Sequence, residues 1–125
     1  MAAWEDVVAY IKQTYRTISE GVDEIQIDVD VKDGETQIVI VTREVVGEEE
    51  WASAKAPCFL AKGVDLAQVL KQLEETTAVG GAVIASDYVT LRHTLPLRNL
   101  DVNELGEPLE LVASAAIELV QQLTG

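Results

Sequence analysis

The sequence predicts an α+β domain in the order α-β-β-β-α-β-β-α, an antiparallel sheet packed with helices. Three observations carry this. Apolar residues recur at helical spacing in three segments, and they alternate with polar ones around two tight turn signals. No strand–helix–strand unit repeats, which argues against a doubly wound parallel sheet.

The first helix is read from Trp4, Val7, Val8, Ile11, Tyr15 and Ile18, which fall on one stripe, with Gly21 as its stop. In "EIQIDVDVK", Ile25, Ile27, Val29 and Val31 alternate with polar residues, as in a half-buried strand. Asp33-Gly34 is a strong hairpin signal. The return strand "ETQIVIVTREV" is apolar on both faces, at Ile38, Val39, Ile40 and Val41. Such a strand is central and covered on both sides, so its second face calls for a partner, a second subunit or a ligand.

Gly47 and the acidic run Glu48-Glu49-Glu50 read as a polar turn. "WASAKAPCFLAK" reads as a third strand. Its Pro57 lacks an N–H and requires an edge position or a bulge. A second helix is expected over 64–79. Asp65 and Gln68 have capping-box spacing, Leu66, Val69, Leu70 and Leu73 form its stripe, and Gly80-Gly81 ends it. "GAVIA" and "YVTLRHTLPL" flank Ser86-Asp87 as a hairpin. The last helix follows Asp101, with Glu104 at capping-box spacing. Pro108 is tolerated near its start, and Leu105, Leu109, Val112, Ala116, Leu119 and Leu123 form its apolar stripe.

A chain of 125 residues, 48% apolar, suits a single folded domain spanning 1–125. No apolar run approaches the roughly 18–20 residues that span a bilayer. The N-terminus carries early acids and no basic segment, so it does not read as a secretory signal. The lone Cys58 cannot form an internal disulfide, and a cytoplasmic protein is expected. Net charge is −13, and the nine Lys and Arg residues are scattered, so neither nucleic acid nor an anionic membrane is an expected partner.

No catalytic constellation stands out. His93 shares a strand face with Val89, Leu91, Leu95 and Leu97 and reads as a packed residue. A second histidine is missing, which excludes a multi-histidine metal site, and nothing in the spacing joins His93 to Cys58. Asp28 and Asp30 share one strand face and read as solvated. Phosphate-cradling loops and the GxSxG and HExxH motifs do not occur, so no cofactor or metal is expected.

The stretch "YVTLRHTLPLRNLDVNEL" runs from a strand through "LPL" and the polar step "RNLD" into the long final helix. With the order of elements, it resembles the type III secretion chaperone-like superfamily, which includes the CesT-type chaperones and the YbjN-like proteins. The resemblance implies a curved antiparallel sheet with helices against it. It also implies non-catalytic binding of a protein or peptide segment on apolar sheet and helix surface, often by a homodimer. The expected partner contacts are Val39, Val41, Leu91, His93 and Ile117, and Val69 and Leu73 are the expected dimer contacts. The alternative is a small-molecule carrier or enzyme with a pocket between sheet and helices, near His93 or Arg92.

Overall fold

The computed structural model describes residues 2–76 and 80–124. Helix α1 (Trp4–Thr14) is followed by strands β1 (Arg16–Glu20), β2 (Glu24–Asp30), β3 (Thr36–Val46) and β4 (Glu49–Leu60). Helix α2 (Leu66–Thr76), strands β5 (Gly81–Ala85) and β6 (Tyr88–Pro96) and helix α3 (Gly106–Thr124) complete the chain. All six strands form one antiparallel sheet in the order β1-β2-β3-β4-β6-β5.

The sheet has one strand more than the sequence pattern predicts. Tyr15 and Ile18 extend the helical stripe of α1, but the helix stops at Thr14 and Tyr15 is already extended, with φ −124° and ψ 158°. Thr14, Tyr15, Thr17 and Ile18 favour strand over helix, and the chain turns back to pair with β2. Ile18 sits at an irregularity in that ladder and is 51% exposed. Gly21 lies in the β1–β2 turn, where its N–H donates to the Glu24 carbonyl.

The turn signals act as expected. Asp33 and Gly34 take positive φ in the five-residue loop between β2 and β3. Ser86 and Asp87 do the same between β5 and β6, the geometry of a two-residue hairpin whose twist matches the strands. Pro57 marks a register shift inside β4, which pairs on both sides and is central. The helix read over 64–79 is present as Leu66–Thr76, and residues 77–79 lie outside the described residues. The Asp65 carboxylate caps it, accepting from the Ala67 and Gln68 N–H groups at 3.1 and 3.3 Å. Before α3 a single 3₁₀ turn covers 102–105, and the Glu104 carboxylate accepts from the Asp101 N–H at 2.8 Å. Pro108 falls in the first turn of α3, where no N–H is needed.

Helix α3 lies across β2, β3, β4 and β6, α2 packs on α3, and α1 packs against β1 and the 3₁₀ turn. The expected stripe of α3 is the one that enters the core, with Leu105, Leu109, Val112, Ala116 and Leu119 buried. Opposite them lie Ile25, Ile27 and Val29 of β2, Val39 and Val41 of β3, and Ala52, Ala54 and Ala56 of β4. Alanines on both sides, Ala113 and Ala116 of α3 included, let the helix backbone settle close over the central strand. Replacing Ala113, which has no exposed surface, by Leu is expected to destabilise the fold by roughly 1–3 kcal/mol through overpacking. Thermal unfolding followed by circular dichroism should show this as a drop of several degrees in melting temperature.

Candidate functional site: an open sheet face

Side chains alternate along each strand, so the register fixes which residues share a face. Ile27 pairs with Val39, Val41 with Ala54, and Ala56 with Leu91, and this face lies under the helices. The residues between them point to the other face, which no described element covers. There Asp28 pairs with Ile38, Gln26 with Ile40, Ile40 with Lys55, and Pro57 with Thr90.

This open face holds a groove of about 750 Å³. Its apolar floor includes Ile18, Ile38, Ile40, Pro57 and Tyr88, with Lys55 among its lining residues. Ile38 is 44% and Tyr88 43% exposed, far more than the buried Val39 and Val41 between which Ile38 and Ile40 alternate. Arg16 pairs with Asp28 at one margin. Farther along the same face runs a belt of hydroxyls, where Ser53 and Thr94 meet at 3.0 Å. In that region Thr42 Oγ1 and Trp51 Nε1 have no hydrogen-bond partner among the described residues.

The contact residues expected from the sequence are mostly elsewhere. Val39, Val41 and Leu91 are at most 2% exposed and form the core under α3, so they offer no surface to a partner of the folded chain. The expectation of a second apolar face on β3 holds, but that face belongs to Ile38 and Ile40. Hairpin register was the signal that separates them: pairing across the Asp33-Gly34 loop sets Val39 opposite Ile27 and Ile38 opposite Asp28. Ile117 is half-buried on α3 and lines a different concavity, with Val31, Ser114 and Gln121, away from the groove. Val69 is buried and Leu73 packs on the core, so both face inward, whereas Leu66 and Leu70 form the exposed side of α2.

His93 stands on the helix side of β6, opposite Ala54, and its side chain has no hydrogen-bonding or ionic partner among the described residues. It lines neither the open-face groove nor the α3 concavity. Its ladder partner Ala54 is four positions along β4 from Cys58, roughly 13 Å at strand rise, so the two residues form no catalytic pair. Gly80 positions the entry to β5 at this point. Its φ is +89°, and a Cβ there would lie 2.6 Å from the Arg92 carbonyl oxygen, which excludes any other residue. Among the described residues no group of three or more His, Cys, Asp or Glu side chains converges to hold a metal ion, and Asp28 is engaged by Arg16.

Burial pushes the Cys58 thiol up to about 11, partly offset by a backbone hydrogen bond from Leu91. A thiol held neutral is a poor nucleophile. The folded state therefore keeps a proton that the unfolded chain releases near its ordinary value of 9.0. Stability from this group is complete below pH 9 and is lost as pH rises towards 11. Chemical denaturation at pH 8 and pH 10.5 should show the wild type losing more stability than Cys58→Ala over that interval. At pH 8 an aromatic disulfide reagent should label native Cys58 far more slowly than the denatured chain.

No family model matches the chain, and no curated protein matches its sequence. The fold is similar to a chain in the solved structure of the HopA1–SchA chaperone–effector complex, with a TM-score of 0.52 and 11% identity. That match covers 96% of this chain and 88% of the other. At this identity the likeness shows the fold alone, an α+β arrangement that here is a six-stranded antiparallel sheet with three helices.

Proposed function

We propose that the protein is a non-catalytic binding module of the CesT-type or YbjN-like kind, which holds a segment of a partner protein on the open face of its sheet. The observation that carries this is the asymmetry of the sheet. Three helices cover one face, and the other presents Ile18, Ile38, Ile40, Pro57 and Tyr88 in a continuous groove. Contiguous apolar surface of this kind marks interaction sites. The structural neighbour comes from a chaperone–effector complex, which supports a protein as the ligand. Cys58 is an unpaired thiol, which suits work in the reducing cytoplasm.

The two sheet edges favour a second element of the reading, a homodimer formed through β5. Edge strand β1 is interrupted by a bulge and carries Arg16 and Glu20, features that discourage strand addition. Edge strand β5, "GAVIA", has no charge and no proline, and Ile84 on it is 55% exposed. Antiparallel pairing of two β5 edges joins the sheets of two copies into one. The exposed Leu66 and Leu70 of α2 are further apolar surface available to such a contact.

Two experiments test these statements. The tagged protein is isolated from cells that naturally produce it, alongside Ile38→Asp, first shown to be folded by circular dichroism. The wild type should retain a dominant protein that Ile38→Asp loses. Equal retention by both, or a small molecule held in place of a protein, overturns the open-face reading. For the dimer, light scattering after size exclusion at micromolar concentration should give twice the monomer mass for the wild type and the monomer mass for Ile84→Lys. A wild-type monomer refutes the β5 contact.

A further inference from the structure

Lys55 and Arg92 stand directly opposite each other in the β4–β6 ladder. Their neighbours Ala54, Ala56 and Leu91 are buried under the helices, so both cations project from the open face. Side chains opposite each other in an antiparallel pair have Cβ atoms about 4.5–5.5 Å apart, and like charges there oppose strand pairing. The chain has only nine basic residues against 22 acidic ones, so two opposed cations are not a by-product of a basic surface. Glu44 offsets one of them in part, at the long limit of an ion pair. Its carboxylate reaches Lys55 Nζ only at 4.0 Å, and Arg92 makes no ion pair among the described residues. The pair also borders the apolar floor: Lys55 lines the groove and pairs in register with Ile40, and Arg92 is two residues from the groove-lining Thr90.

We infer that the segment held on the open face is apolar and carries a carboxylate, which seats between Lys55 and Arg92. This rests on the open-face reading and gives it a chemistry. A carboxylate so placed relieves the repulsion between the two cations and accepts charge-assisted hydrogen bonds, from the planar guanidinium in bidentate fashion. The net charge of −13 repels an acidic tract at long range. At physiological salt that field is screened beyond about 8 Å, and the local pair then dominates for a docked group. The fitting ligand is thus an apolar stretch with an isolated Asp or Glu, neither a basic segment nor a run of acids.

The test is a random peptide library displayed on phage, panned in parallel on three proteins. These are the wild type, the double variant Lys55→Glu/Arg92→Glu, and Ile38→Asp, each first shown to be folded by circular dichroism. The wild type should enrich apolar peptides bearing Asp or Glu, the double variant should enrich apolar peptides bearing Lys or Arg, and Ile38→Asp should enrich neither. A synthetic peptide from the wild-type selection should lose roughly tenfold in affinity when its acid becomes the matching amide. Enriched peptides without an acid, or the same peptides on the double variant, overturn the carboxylate inference while leaving the groove intact. No enrichment on the wild type, or equal enrichment on Ile38→Asp, overturns the open-face reading and this inference with it.

Discussion

The seam between α3 and β4 is the constraint on which the rest of the molecule depends. Ala52, Ala54 and Ala56 on the strand and Ala113 and Ala116 on the helix are all buried, with no large side chain to hold the two backbones apart. Close approach there lets one helix span β2, β3, β4 and β6. It also leaves the larger residues, Leu109 and Leu119 on the helix and Ile25, Ile27 and Leu91 on the strands, to fill the space on either side. Four of the strand connections are short hairpins, but β4 and β6 are joined only through α2 and β5. The pairing that unites the two parts of the sheet is therefore the one over which α3 is seated.

That seam also makes the sheet one-sided. A helix this close covers the middle of its face, and α1 and α2 find their places beside it on the same side. The opposite face gains no cover, yet strand β3 keeps isoleucines there. Burying one large aliphatic side chain is worth about 1.5–3 kcal/mol, so a partner that covers Ile38, Ile40 and Tyr88 recovers free energy that folding alone leaves unused. The same surface is crossed by two facing cations, which an oily patch meant only for self-association would not need.

Most of the architecture is legible in the sequence because it depends on local chemistry. The α3 stripe, the Asp65 cap, the hairpin turns at Asp33-Gly34 and Ser86-Asp87, and the bulge at Pro57 each follow from a few neighbouring residues. Strand β1 does not, because Tyr15 and Ile18 fit the helical spacing of α1 and only pairing with the distant β2 pulls them out of it. The open face is half legible. Alternation in "QIVIVT" reveals two apolar faces, but which of them the helix covers depends on register across the β2–β3 loop. Val39 and Val41 went to the core for that reason, and Leu91 by its register opposite Ala56. The Lys55–Arg92 pair is invisible in one dimension, since 37 positions separate two residues that the ladder sets side by side.

The two ends of the sheet have a consequence for assembly. A strand-adding module with two receptive edges has no natural stopping point and grows into a fibre. Here β1 is broken by its bulge and flanked by charges, and β5 alone is receptive. The proposed pairing through β5 would use up that edge in both copies at once and present only blocked edges to any third. On that contact the bulge at Thr17–Ser19 would act as a chain terminator, leaving an uncharged edge strand at one end only of the sheet.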